Sequence, residues 1–135
     1  MNPKDFIDTA DYLLLDEKEA SWRSAVSRSY YGAFLYIRDA LKRLGIKYDP
    51  VGIHKSLPKE IKNSQVSGAD TIGNMLQDLR DQRTDADYSI SLCFNKKNSM
   101  ILLEQSKLII EEFDKLDMVK LWDGITKYRK SCGHS

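Results

Sequence analysis

Apolar residues recur at three- and four-residue spacing along most of this chain, which is the pattern of amphipathic helices. Short polar stretches containing glycine, proline or asparagine separate the periodic segments. No segment alternates polar and apolar residues for long enough to predict a strand. The pattern therefore predicts an all-α protein, an up-and-down bundle of four to six helices whose short connections make neighbours largely antiparallel.

The predicted helices follow one another with clear start and stop signals. Asn2-Pro3 begins the first, which is expected to end near Leu15, and Asp16 begins a capping-box variant before the second. The second and longest covers about residues 18–44 and ends at Gly45. Three more helices are predicted over about residues 53–62, 70–88 and 95–116. In the first of these, Pro58 is tolerable only if it falls in the first turn. Asp70 is expected to cap the second.

The stretch after Asp117 keeps a rougher helical spacing and predicts a sixth helix that frays towards the C terminus. We therefore divide the chain into a helical bundle over residues 1–116 and a C-terminal helical extension and tail over residues 117–135.

Composition narrows the class of protein. A chain of 135 residues with 41% hydrophobic and 30% charged residues is typical of one soluble globular domain. The net charge of +1 gives no global field, so nucleic-acid binding would depend on local patches. Cys93 and Cys132 lack the spacing of a metal site, and the N terminus lacks a secretory signal. We expect a cytoplasmic protein with no membrane association, no metal and no cofactor.

Arg83 lies on the apolar face of its own predicted helix, in line with Leu76 and Leu79. A guanidinium cannot be neutralised there, so it needs a carboxylate, a phosphate or other acceptors. One interpretation is structural: Arg83 balances neighbouring carboxylates, namely those of Asp81, Asp85 or Asp87. The other is that Arg83 contacts a ligand.

A second irregularity lies on the charged face of the second helix, where Tyr31 and Leu35 stand among charged residues that include Arg28. Single apolar residues on a polar face are common, but aromatic residues and arginines are also enriched at interface centres. Tyr31 and Leu35 are therefore candidates for a dimer interface.

Three motifs together resemble a known family. Residues 25–34 read AVSRSYYGAF, close to the A-x-S-R-x-Y-Y-A-x-F signature of HEPN domains. His54 opens the following short helix, and the helix after that ends in an R-x-x-A-D-Y stretch from Arg83 to Tyr88. The chain resembles the small single-domain prokaryotic branch of this family over roughly residues 5–116.

The resemblance implies a helical bundle that dimerises and, in many members, a metal-independent ribonuclease with an arginine and a histidine a few residues apart. The histidine takes a proton from the 2′-hydroxyl while the arginine holds the phosphate. Tyr88 stands where that histidine is expected, and a tyrosine is a weak base because its ordinary pKa is about 10. Candidate catalytic residues are Arg83, Tyr88 and His54. Candidate residues for RNA or nucleotide binding are Arg28, Arg80, Arg83, Asp85 and Asp87.

Two functions follow as expectations. The first is an RNA- or nucleotide-binding protein, the ribonuclease toxin of a toxin–antitoxin or defence system, with a homodimer as its form and a nucleotidyltransferase antitoxin as its partner. The alternative is a catalytically silent helical module for dimerisation or adaptor contacts, in which Arg83 and its aspartates are structural.

Overall fold

The structure, a computed structural model, describes residues 1–133 and contains six α-helices and no strand over that range. The all-helical prediction is confirmed. None of the helices in the described part of the chain is long and apolar enough to cross a membrane. The helices are α1 (Lys4–Leu13), α2 (Glu19–Arg43), α3 (Ile53–Lys62), α4 (Ala69–Tyr88), α5 (Lys96–Asp114) and α6 (Met118–Ser131).

Helix α2 is the centre of the bundle, and α1, α4 and α5 pack around it. Its broad apolar face buries Tyr30, Phe34, Ile37 and Leu41 almost completely. Full burial of a large apolar side chain stabilises the fold by roughly 1.5–3 kcal/mol, so this face contributes a large share of the core. Helix α3 packs on α4, which brings the start of α3 beside the middle of α2 and the later turns of α4.

The predicted helix boundaries hold to within about two residues, but two of the predicted caps are wrong. Asn95 does cap α5, since its side chain accepts a hydrogen bond from the Asn98 amide at 2.7 Å. Asp70 does not cap α4: the helix begins at Ala69, after Gly68 turns the chain with a φ of 85°. Asp70 lies in the first turn, where its charge still favours the positive end of the helix dipole.

The capping box predicted at Asp16 is also absent. The residue before α2 is Lys18, and it makes no side-chain cap. Asp16 instead accepts hydrogen bonds from the Ser21 hydroxyl at 2.7 Å and from the Glu17 amide at 2.8 Å. The carboxylate therefore organises the turn before α2. Neither bond uses one of the free backbone amides at the start of that helix.

Pro58 lies in the middle of α3, so the expectation that it must fall in the first turn is wrong. A proline at this position removes the hydrogen bond to the carbonyl four residues earlier, that of His54. Tertiary packing compensates, because Pro58 is buried where α3 meets α4 most closely. A Cβ on Gly73 of α4 would lie 2.7 Å from the Pro58 carbonyl oxygen and 2.9 Å from the Lys62 amide nitrogen.

Helix α6 packs onto the same core as the rest of the chain. Asp117 caps it through bonds from the Val119 and Lys120 amides at 3.0 and 3.1 Å. Leu121 and Ile125 are fully buried in the main core cluster. The fraying expected at the end of the tail concerns residues that include His134 and Ser135, which lie outside the described part of the chain.

The close contact between α3 and α4 gives a first prediction. Gly73→Ala should destabilise the protein by about 1–3 kcal/mol, because the new methyl group meets backbone atoms that cannot rotate away. Thermal unfolding measures the change. The matched control is Asn74→Ala on the neighbouring exposed position of α4, which should leave the melting temperature the same or slightly higher. Equal melting temperatures for the two variants would contradict the close packing.

Candidate functional site

Side chains from α2, α3 and α4 converge on one region of the surface. Arg83 comes from the later part of α4, His54 is the second residue of α3, and Tyr31 faces both from α2. These three residues belong to the three motifs that carry the HEPN resemblance. We call Tyr30, Tyr31, His54 and Arg83 the Arg83 cluster.

Arg83 points inward, as its place on the apolar face predicts, and only 20% of its side chain is exposed. Its Nε lies 2.8 Å from Oδ2 of Asp87, one turn further along α4. The N–H does not point at the carboxylate, so this contact is an ion pair without a well-formed hydrogen bond, and the buried Nε–H has no hydrogen-bond acceptor among the described residues. A buried donor left in this state costs about 1–3 kcal/mol.

Two tyrosines hold the guanidinium by cation–π contacts. Its central carbon lies 5.1 Å from the ring centroid of Tyr31 and 5.7 Å from that of Tyr88. Contacts of this kind are worth about 0.5–1 kcal/mol each at exposed sites. Tyr88 itself is 71% exposed, so it covers Arg83 from the solvent side. The arrangement fixes the guanidinium in place and leaves its outer edge near the surface.

His54 is held by α2. Its Nδ1 lies 2.6 Å from the Tyr30 hydroxyl, and its ring stacks on Phe34 with centroids 4.2 Å apart. The Tyr31 ring meets it edge-on at 5.9 Å. The prediction that His54 belongs near Arg83 is consistent with this geometry, since Tyr31 contacts both residues.

The hydrogen bond from Tyr30 assigns the tautomer of His54. Burial raises the pKa of the Tyr30 phenol well above its usual value, so the hydroxyl keeps its proton. The Tyr30 hydroxyl has one hydrogen-bond partner among the described residues, Nδ1 of His54. If the Tyr30 hydroxyl donates its proton to Nδ1, its hydrogen-bonding requirement is met. If Nδ1 donated to the hydroxyl instead, the buried hydroxyl proton would have no acceptor. Neutral His54 therefore accepts at Nδ1 and carries its own proton on Nε2, which makes it a hydrogen-bond donor to a ligand.

The surroundings of His54 disfavour its charged form. Partial burial, followed by the positive charges of Arg80, Arg83 and Arg38, lowers the pKa of the imidazole below its ordinary value of 6.5. Arg80 and Arg83 come from α4 and Arg38 comes from α2, so positive charges on two helices act on one neutral ring. Arg38 is itself paired with Asp39 at 3.0 Å. Like charges placed in this way are unfavourable in the empty protein, and a bound anion would relieve their repulsion.

The other predicted binding residues are placed differently. Arg80, three residues before Arg83 on α4, lowers the pKa of His54 by its positive charge. Arg28 is exposed and lies over the Phe6 ring of α1 at 5.6 Å, one aromatic ring away from Tyr31. Asp87 partly neutralises Arg83. Asp85 lines a separate groove at the α4–α5 connection, so the structure does not bring its carboxylate into the cluster.

Tyr31 and Leu35, the predicted dimer contacts, have partners within the chain. Both are partly buried, and both line one open groove beside His54. Their position on a charged face of α2 is therefore accounted for by α3 and by the connection that precedes it. A dimer of this chain stays a prediction.

Sequence reasoning missed two arginines. Arg38 lies on the same face of α2 as Tyr31 and Leu35, and that spacing was the available signal. Arg23, in the early turns of α2, reaches across to the end of α4 and donates to the backbone carbonyls of Asp85, Ala86, Ser89, Ile90 and Leu92. It thus closes the end of the helix that carries Arg83, Asp87 and Tyr88.

Comparisons of the chain with family models, with curated proteins and with solved structures found no match. No group of three or more potential metal ligands was found in residues 1–133.

The geometry around His54 gives a second prediction. The imidazole should titrate below pH 6.5, with Nδ1 unprotonated and Nε2 protonated in the neutral form. Because the unfolded chain then binds more protons than the folded one, the free energy of unfolding should fall as the pH drops below about 6.5 and be unaffected by His54 above it. Nitrogen-15 NMR of the ring measures both the pKa and the tautomer.

The protein for this titration should carry His134→Gln, so that one histidine remains to be observed. Tyr30→Phe is the informative variant, because it removes the hydroxyl that fixes the tautomer and should let protonation at Nδ1 compete. A neutral His54 that is already protonated at Nδ1 in the presence of Tyr30 would contradict the assignment.

Proposed function

We propose that this protein is a HEPN-type RNA- or nucleotide-binding protein whose Arg83 cluster holds a phosphate. Its biological setting would be that of the ribonuclease toxin in a toxin–antitoxin or defence system. The proposal includes a homodimer, which would bring two such clusters into one cleft, and a nucleotidyltransferase antitoxin as the partner.

One observation carries the proposal. Arg83 and His54 both contact Tyr31, and Arg38 lines the same groove as His54. The positive charges of Arg80, Arg83 and Arg38 lower the pKa of His54, whose neutral form carries its proton on Nε2. Like charges that repel one another in the empty protein are a poor way to stabilise a fold and a good way to bind an anion. The phosphodiester fits this chemistry, because it offers acceptor oxygens to every one of these donors.

The roles follow from the positions of the groups. Arg83 would donate to a phosphate oxygen from its outer edge while Tyr31 and Tyr88 fix its plane. His54 would donate through Nε2 to the same phosphate. Arg80 would add charge, and Arg38 would add less because it is paired with Asp39. In this tautomer His54 is not the base for a 2′-hydroxyl, so the arrangement supports phosphate binding more directly than cleavage.

A ribonuclease reaction would need another proton acceptor. Tyr88 is exposed and stands five residues after Arg83, at the position of the family's histidine. As a phenolate it could accept a 2′-hydroxyl proton, while Arg83 would stabilise the charge on the phosphate.

A second candidate function is favoured by a specific observation. Arg83 already has an ion pair with Asp87 and cation–π contacts with two tyrosines, so its charge is partly balanced within the chain. A silent dimerisation or adaptor module would use the same residues for stability alone. The two functions differ in what Arg83→Ala does to RNA binding.

The third prediction concerns this substitution. Arg83→Ala should lower the affinity for a short single-stranded RNA at least tenfold, because it removes one charge-assisted phosphate contact. The lost ion pair and cation–π contacts are worth about 1–2 kcal/mol together, partly offset by relief of the repulsion from Arg80. The melting temperature should therefore fall by only a few degrees. Fluorescence anisotropy at a stated salt concentration measures the affinity.

The matched control is Arg43→Ala, an exposed arginine at the end of α2 and outside the cluster. Its RNA affinity should stay within a factor of about three of the wild type, since it removes charge without a placed contact. Tyr88→Phe should bind almost normally, because the ring remains over Arg83. RNA affinity unchanged in Arg83→Ala, or undetectable in the wild type, would favour the adaptor function.

A further inference from the structure

An open groove of about 840 Å³ runs from His54 along α2 to the connection between α2 and α3. We call it the α2–α3 groove. Its volume falls in the range of roughly 300–1,000 Å³ that is usual for small-molecule sites. Tyr31 lines it and also contacts Arg83, so the groove begins where the Arg83 cluster ends.

The charged residues that line the groove are all basic: Arg38 and Lys42 from α2 and Lys47 from the connection, beside the neutral His54. Arg38 also pairs with Asp39 at 3.0 Å, so its charge is partly balanced next to the groove. The chain as a whole carries 21 basic and 20 acidic residues, so this separation of charge is local. A cleft lined by one sign of charge concentrates ligands of the opposite sign.

The rest of the lining is apolar or aromatic. Leu35 and Tyr31 form the α2 side, and Ile46, Tyr48 and Ile53 form the other. A flat apolar wall beside cations suits a ligand with a planar ring and a phosphate, because stacking is tolerant of the base and the charge contacts fix the phosphate. Inorganic anions would use the cations and leave this wall unoccupied.

The far wall is rigidly supported by α6. Arg129 forms an ion pair with Glu60 of α3, with its Nε and one terminal nitrogen 2.7 and 3.0 Å from the two carboxylate oxygens. The same guanidinium donates to the Lys47 carbonyl at 3.0 Å and lies 4.9 Å from the ring centroid of Tyr48. Arg129 thus fixes the connection at Lys47 and Tyr48, two residues that line the groove.

We propose that the α2–α3 groove binds a nucleoside phosphate unit, with the base against Leu35, Ile46 and Tyr48 and the phosphate at Lys42. This inference rests on the proposed function and deepens it, since it gives the nucleotide beside the Arg83 phosphate a place on the protein. The unit can belong to a free nucleotide or to single-stranded RNA, and the experiment distinguishes them.

The test uses three probes on the full chain: inorganic phosphate, adenosine monophosphate and a five-nucleotide single-stranded RNA. Lys42→Glu should weaken binding of adenosine monophosphate and RNA by about tenfold, because it places a like charge beside the phosphate. Leu35→Ala should weaken the binding of adenosine monophosphate several-fold and leave the affinity for inorganic phosphate unchanged, since only the base contacts the apolar wall. NMR titration and fluorescence anisotropy provide the affinities.

Lys59→Glu is the matched control. Lys59 is exposed in the last turn of α3, as Lys42 is in the last turn of α2, so both variants lose the same favourable charge at a helix C terminus. The control should bind all three probes like the wild type. If the wild type binds RNA at least tenfold more tightly than adenosine monophosphate, the nucleoside phosphate in the groove belongs to RNA. If the two affinities are comparable, it belongs to a free nucleotide.

Two results would overturn the groove as a nucleotide site. One is unchanged affinity for adenosine monophosphate and RNA in Lys42→Glu and Leu35→Ala while Arg83→Ala loses RNA binding, which leaves the proposed function standing. The other is a wild type that binds inorganic phosphate as tightly as adenosine monophosphate, since the base then contributes nothing. A wild type that binds none of the three probes would overturn both the groove and the proposed function.

Discussion

The burial of the broad apolar face of α2 is the interaction on which the rest of this structure depends. Tyr30 and Phe34 are fully packed between neighbouring helices, yet both also touch His54 at the surface. The core therefore extends directly into the candidate site. A side chain held by close packing loses little further freedom when a ligand binds, which favours a site that is organised before the ligand arrives.

The net charge of this protein is close to zero, but its positive residues are concentrated locally. A nearly neutral chain places Arg38, Arg80 and Arg83 where their charges lower the pKa of His54, and it places lysines along the adjoining groove. Asp87 pairs with Arg83 without a well-formed hydrogen bond, whereas Asp39 accepts two hydrogen bonds from Arg38. The positive charge near His54 is thus partly balanced within the chain.

The sequence predicted the helices well, because helical periodicity is a local property. The inward position of Arg83 also followed from the pattern, and its partner Asp87 lies one turn away on the same helix. The bond between Tyr30 and His54 joins residues 24 positions apart, and no spacing rule predicts it. The tolerance of Pro58 in mid-helix was not predicted for a similar reason: Pro58 lies against Gly73 of α4, a contact between distant parts of the chain. The α2–α3 groove is lined partly by the connection between these helices, where the sequence has no periodic pattern from which the groove could be predicted.

The capping of α4 by Arg23 has a consequence for how this region can change. The guanidinium binds main-chain oxygens from Asp85 to Leu92, which every residue type provides. Substitutions among residues 89–92 therefore leave the anchor intact, provided that the backbone keeps its path. The exposed side chains of Ile90 and Leu92 are free to vary without moving the end of α4. The helix that bears Arg83 is thus insulated from sequence drift in the segment that follows it.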